Sequence, residues 1–390
     1  MQNFRAFLLN IMVCVFVIVL MLVGSPIVSA RLEQYYTLKY YIAPDSDWGV
    51  ELADNIITWQ TASGGWNKNI DFMTVTWKPG KSKGPINRHG QEMGTFDNGA
   101  SIKEMRFLAA VYQATGFSRY KDSFMRGLDW MLEAQYPSGG WPQFYPLRGG
   151  YWDHVTYNDD AMIRILFFIQ EILENPLAYD FIGEDNFERL QRSFEKGIDY
   201  ILKSQIEVNG YLTAWCQQHD PVTYKPTMAR SYEHPAIAGH ESVGIVYFLM
   251  SIKEPSEEVQ EAILSALEWF EISELPNGKW ARFYEIGTNI PIFSGRDGII
   301  RYFLEDIEEE RQTGYSWYPD LPQHLMERVR ASNLLVQLRE SIPEHRPLTL
   351  GAFDDPAIVK FHYPNPEPCQ TIQGDLPVHV EIFMRNFDHF

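Results

Sequence analysis

One pattern recurs four times along this chain and limits the fold more than any other feature. It is an amphipathic helical stretch that ends in a glycine turn and then a tryptophan. Leu52–Gln60 is followed by Gly64-Gly65-Trp66, Leu128–Gln135 by Gly139-Gly140-Trp141, Ile198–Gln205 by Gly210 and Trp215, and Leu267–Glu271 by Gly278 and Trp280. Glycine just past an apolar-periodic run is the usual helix stop, and self-similarity of this kind marks a repeat architecture. Between the copies lie Ser101–Thr115, Asp160–Leu173 and Glu241–Ile252, which are apolar around most of their circumference, as buried helices are. Outer amphipathic helices alternating with inner buried ones predict an all-α (α/α) toroid with long functional loops and only minor β stubs. Tyr302–Glu310 is expected to be a last core helix with an acidic end.

The ends of the chain read differently. Arg5, the apolar run Ile11–Val23 and the small-residue site Val28-Ser29-Ala30 predict a secretory signal over 1–30. Removing those 30 residues from 390 leaves about 360, and the repeat assigns 31–330 to one catalytic domain. Six prolines from Pro343 to Pro368 break up residues 331–390, which read as a C-terminal appendage. Cys14 leaves with the signal, so Cys216 and Cys369 are the mature cysteines, with one disulfide as the maximum. A formal net charge of −18 argues against a nucleic-acid binder, which needs a basic footprint. It does not exclude an acidic substrate, because a local basic cleft governs within a Debye length of roughly 8 Å and a divalent cation can bridge two anions. The mature chain is expected to be exported, extracellular or periplasmic, monomeric, and free of the membrane.

Three stretches carry candidate chemistry. The inner helices begin at Asp97-Asn98-Gly99, Asn158-Asp159-Asp160 and His240-Glu241-Ser242, so each start brings a carboxylate. In an alternating toroid these starts gather at one mouth, and converging carboxylates suit a hard cation such as calcium. Ordinary capping of the helix starts explains each acid singly. The long polar loop Ala214–Ser242 presents Arg230 with Lys225 and three histidines. An acidic-substrate site and an ordered solvent-facing connection both fit that loop. Arg296 in Ser294-Gly295-Arg296-Asp297-Gly298 is suited to clamp a carboxylate through its planar fork, or to pair with its neighbour Asp297.

The stretches GGWNKNID, FDNGAS, EMRFLAAVYQATG, AQYPSGGWPQFYPLRGGYWDHVTYNDDAM, LTAWCQQHDPVT, ARFYEIGTN and IFSGRDGIIRY resemble family 10 polysaccharide lyases, in order, from about Asp47 to Tyr318. The resemblance implies an (α/α) toroid pectate lyase that cleaves polygalacturonate by β-elimination with calcium. It implies Arg230 as the catalytic residue, Asp97 and Asp159 as acids around calcium, and Arg296 as a clamp on a substrate carboxylate. Residues beside matching motifs extend the set: Asp160 and Glu241 on the calcium side, and Asn158, Lys225 and Lys68 on the substrate side. The chain departs from the family pattern at Asn67, His234 and His240.

An arginine base is chemically awkward, because guanidinium stays protonated in ordinary sites. Burial and neighbouring cations would have to act together to release its proton, and Lys225 shifts more readily. Two other functions share the residues. A glycoside hydrolase on a similar toroid would use Asp97 and Asp159 as its carboxylate pair, although Arg230 and Arg296 favour an acidic sugar. A secreted pectin-binding protein without turnover is the other.

Overall fold

The computed structural model describes residues 42–353. The expected signal over 1–30, Cys369 and its pairing with Cys216, and residues 354–390 lie outside the described residues. In chain order the helices are α1 (Asp47–Thr58), α2 (Ile102–Thr115), α3 (Ser118–Glu133), α4 (Ala161–Glu174), α5 (Glu184–Ser204), α6 (Glu241–Met250), α7 (Glu257–Ile272), α8 (Glu309–Thr313), α9 (Leu321–Ser332) and α10 (Leu334–Ser341). The described strands are two residues long and form antiparallel pairs, such as Gly94–Thr95 with Phe144–Tyr145 and Val155–Thr156 with Gln218–His219. The chain groups into two compact units. One holds described residues 42–204 and 218–225, the other 205–217 and 226–353.

The first unit contains α1–α5. Here α2 packs on α1 and α3, α4 packs on α5, and the buried helices α2 and α4 pack on each other. Their contact carries an internal ion pair, Arg106 Nε to Glu171 Oε2 at 2.6 Å, and the Tyr179 hydroxyl donates to the other carboxylate oxygen at 2.6 Å. The second unit contains α6–α10. All ten residues of α6 are buried, and α7, α9 and α10 pack around one another. The sequence assigns α7 an exposed amphipathic face. Instead it is buried over most of its length, because α9 and α10 cover it.

The repeat signature is a set of recurring brackets. The indole N–H of Trp66 donates to Ile56 O, that of Trp141 to Met131 O and that of Trp280 to Phe270 O, each at 2.8–2.9 Å and each ten residues back. The glutamine closing each outer helix donates twice. Gln60 Nε2 reaches Gly64 O and Ser123 O, Gln135 reaches Gly139 O and Ser193 O, and Gln205 reaches Thr213 O and Ala262 O, at 2.7–3.0 Å. One bond seals the turn and the other holds the next outer helix. The turns admit only glycine where they meet that helix. Gly64 and Gly139 have φ of 114° and 109°, and a Cβ would lie 2.5 Å from Arg126 O and 2.0 Å from Lys196 O.

The expected helix over Tyr302–Glu310 is not formed. Ile300–Arg301 is a strand, Leu304–Asp306 a single 3-10 turn, and α8 begins only at Glu309. The apolar side chains there, Tyr302 and Leu304, pack on the cluster around Phe283, Phe293 and Trp317. Beyond Arg330, α10 and the segment to Phe353 stay packed in the second unit. Buried Glu268 on α7 accepts from Arg339 Nε at 2.7 Å and from the Leu348 amide at 2.8 Å, and its Oε2 lies 2.9 Å from His345 Nε2.

Candidate active site

In the first unit, two short 3-10 turns pack side by side, Asp97–Gly99 and Asn158–Asp160, each leading into an inner helix. Their backbones repeat: Asn98 has φ 55°, ψ 24° and Asp159 has φ 54°, ψ 28°. The next position is left-handed in both, filled by Gly99 (φ 71°) in one turn and Asp160 (φ 58°) in the other. Glycine takes that conformation without cost, whereas aspartate pays for it. Strained positions of this kind cluster at functional sites. These acids are not helix caps in the usual sense. Neither Ser101 before α2 nor Asp160 before α4 makes a side-chain cap bond, and the Ser101 hydroxyl instead ties Trp66 N–H to Thr95 O.

Asp97 is buried. Its Oδ2 is ion-paired with Lys68 Nζ, while Oδ1 has no hydrogen-bond partner among the described residues. An unsatisfied buried carboxylate oxygen costs on the order of 1–3 kcal/mol, and this one leaves a lone pair open to a cation or a water. Asp159 is exposed and Asp160 half-buried, with Arg164 Nη2 3.7 Å from Asp160 Oδ2. Asn158 is buried within the turn. Lys225 is exposed at the close of a tight loop, where its carbonyl accepts from the Asp220 amide at 2.8 Å. Among the described residues no group of three or more His, Cys, Asp or Glu side chains forms a ready metal cage. The acids fit calcium as part of a larger oxygen set, since that ion takes six to eight ligands, waters included.

In the second unit, Arg230 sits at one end of a chain of polar contacts. Its backbone N–H donates to Glu233 Oε2 at 3.1 Å, its Nε lies 3.5 Å from the same oxygen, and its Nη1 donates to the Tyr232 hydroxyl at 2.9 Å. Glu233 is 1% exposed, and its other oxygen accepts from the Tyr315 hydroxyl at 2.8 Å. The Arg282 guanidinium lies 4.7 Å from the Tyr315 ring centroid and pairs with Glu241. Burial pulls the Arg230 pKa down, but Glu233 and then Tyr232 and Tyr315 push it up by more, so the guanidinium holds its proton more firmly than usual. Burial likewise pulls the Arg282 pKa down, and Glu241, with Tyr315 and Glu233, more than offsets it, so that pKa is raised as well.

Glu241, grouped from the sequence with the calcium-side acids, is 1% exposed at the start of a helix buried on every side; one carboxylate oxygen pairs with Arg282 and the other, Oε2, has no hydrogen-bond partner among the described residues. Arg296 is exposed and forms a two-pronged pair with Glu310, both contacts at 3.0 Å. Those bonds, with a further pair from Arg311, draw the Glu310 carboxyl down to about 2. Sequence reasoning missed Glu233, Arg282 and Tyr315. The signal that could have found the first is a glutamate three residues after a candidate arginine in the same loop.

A model of the family described as pectic acid lyase matches residues 60–279 and 274–326. No curated protein matches the chain. Two solved structures of the family 10 polysaccharide lyase from Cellvibrio cellulosa, one of them a mutant in complex with trigalacturonic acid, match at 33% identity and a TM-score of 0.67. The alignments cover 80% of this chain and 97% and 98% of theirs. The predicted fold class, an all-α (α/α) toroid, is that of these structures. A family match over this much of the chain, with a relative one-third identical across four-fifths of it, makes the protein a family 10 polysaccharide lyase, a pectate lyase.

Proposed function

We propose that this lyase cleaves α-1,4-polygalacturonate by calcium-assisted β-elimination, leaving 4,5-unsaturated oligogalacturonides, and that it acts after export. The observation that carries the reading is the buried, unpartnered Asp97 Oδ1 on one of two paired acidic turns. The bound trigalacturonate of the related Cellvibrio lyase supports the substrate, and the signal read over 1–30 supports export.

Elimination across C4–C5 removes the C5 proton, which lies beside a carboxylate, and expels the glycosidic oxygen at C4. When bound, calcium supplies positive charge that stabilises the developing dianion. Asp97, Asp159 and Asp160 would hold it, with Lys68 fixing the orientation of Asp97. Asn158 braces the second turn. Arg296 takes a substrate carboxylate in its planar fork after leaving Glu310, with Lys225 as a further cation. Arg230 takes the C5 proton.

That last assignment works against the contact with Glu233, which favours the charged guanidinium. The same contact supports a second reading, in which Arg230 stays charged and stabilises the enolate. Arg230→Lys separates the two. A base role predicts loss of turnover together with a changed pH profile, and a charge role predicts partial activity with the profile kept. The overall reaction is tested by ultraviolet absorbance of unsaturated ends on polygalacturonate. A rise that a chelator stops and added calcium restores is expected. New reducing ends without absorbance would mean hydrolysis by Asp97 and Asp159, and binding without either signal would mean a pectin-binding role.

A further inference from the structure

The first unit holds a second cationic feature that the mechanism does not use. After the strand Phe144–Tyr145 the chain turns through Leu147, Arg148, Gly149 and Gly150 into Tyr151-Trp152-Asp153. The Arg148 guanidinium lies 3.7 Å from the Trp152 ring centroid and 5.0 Å from that of Phe144. Tyr151 packs against Trp152 at 4.2 Å with the planes tilted by 32°. Among the described residues no carboxylate forms an ion pair with Arg148.

The turn is built rather than loose. Asp153 Oδ1 accepts from the amides of Arg148 and Gly149 at 3.0 and 2.8 Å, and the Tyr136 hydroxyl donates to Asp153 O at 2.6 Å. Asn87 Nδ2 donates to Leu147 O at 3.2 Å. A Cβ on Gly149 would meet nothing within 4 Å, so the surface above the turn is open. Arg148, Tyr151 and Trp152 are half-buried and Leu147 is exposed. A guanidinium stacked on a ring uses its face and keeps its N–H edge for a planar anion. The cation is therefore fixed in direction while its strongest bonding groups remain available.

The turn is also tied to the acidic site. Its strand pairs with Gly94–Thr95, with Thr95 opposite Phe144, and the Thr95 hydroxyl donates to Gln143 O at 2.8 Å while accepting the Asp97 amide at 3.2 Å. A polymer with one carboxylate on every sugar offers an anion along its whole length. We propose that Arg148, stacked on Trp152, binds the carboxylate of a further uronate unit of the acidic polysaccharide, as a subsite beyond the unit that reacts. This rests on the substrate reading given above.

The test is calorimetric binding of oligogalacturonates of increasing length to the chain carrying Arg230→Ala, with and without Arg148→Met. Methionine removes the charge and keeps a side chain on Trp152. The expected result is affinity for the longer oligomers weaker by about tenfold, the scale of one lost charge-assisted bond, with the gain from each added unit reduced. Arg148→Lys, which keeps the charge but not the fork, should restore part of that gain, and it serves alone if the methionine variant fails to fold. Identical affinities at every length in the variants and their parent would overturn the subsite. Failure of the parent to bind any oligogalacturonate would overturn the substrate reading itself, and the subsite with it.

Discussion

The two units handle charge in different ways. In the first, the Asp97–Gly99 and Asn158–Asp160 turns leave a buried carboxylate oxygen unmatched and hold two aspartates in left-handed conformations. In the second, Glu241, Arg282, Tyr315, Glu233 and Arg230 form a chain that satisfies charge internally, except for Glu241 Oε2 and Arg282 Nε. Both regions leave a buried carboxylate oxygen unmatched, and they differ in what surrounds it: one lysine and a pair of left-handed turns in the first, and a run of paired charges that ends at Arg230 in the second. Whether a carboxylate serves binding or architecture follows from its partners, not from its position at a helix start.

The sharpest way to break this contrast is at its two ends. Arg230→Ala should lower turnover on polygalacturonate by roughly 10²–10⁴-fold while leaving calcium-dependent binding in place, as read by absorbance and calorimetry together. Glu241→Gln should act on stability, by about 3–5 kcal/mol, because it strands Arg282 in a buried site. Its calcium midpoint should match the parent's in denaturant melts run with and without calcium. Asp97→Asn should do the reverse, shifting the calcium midpoint of activity strongly with little loss of stability. Equal calcium responses from the two variants would erase the distinction.

Asp160→Gly gives a smaller and more specific effect. It places glycine where the paired turn already has Gly99, and should stabilise the fold by about 0.5–1 kcal/mol while lowering activity. A variant neither stabler nor less active would remove the argument from strain. The smallest effect concerns His234. Burial lowers its pKa, and Oγ of Ser294 lies 3.2 Å from its Nε2. A lowered folded-state pKa leaves its contribution intact above the unfolded value of about 6.5 and removes it as pH falls below that. Stability measured from pH 7 to pH 5 should therefore fall less steeply in His234→Leu.

The helical repeat was legible because periodicity and glycine stops are local properties. So were the acidic starts, since Asp97 and Asp159 sit within a few residues of the helices they precede. The pairing of Glu233 with Tyr315 was not, because it joins positions 82 residues apart and neither residue has a distinctive neighbourhood. Nor did the sequence separate Glu241 from the other acids: its helix start looks the same until the burial of α6 on every side is known. The region 302–310 misled because apolar and acidic residues there follow a helical spacing, while their packing partners belong to an aromatic cluster built from elsewhere. The packing of α10 over α7 was not legible, because Pro343 and Pro347 interrupt the helical period just beyond Ser341 and Glu268 on α7 lies 71 residues before its partner Arg339.

The doubled glutamine brackets carry a consequence for how such a chain can change. Each of Gln60, Gln135 and Gln205 spends one N–H on its own turn and one on a carbonyl inside the following outer helix, at Ser123, Ser193 and Ala262. All three receiving residues are small and buried, and their carbonyls lie within helices. A repeat therefore fixes the placement of its successor as well as its own shape. The acceptor is a carbonyl that any residue supplies, so the bond constrains the glutamine and the approach of the helix, while burial keeps the receiving side chain small. Whole repeats can be gained or lost only where that pairing is carried across the join.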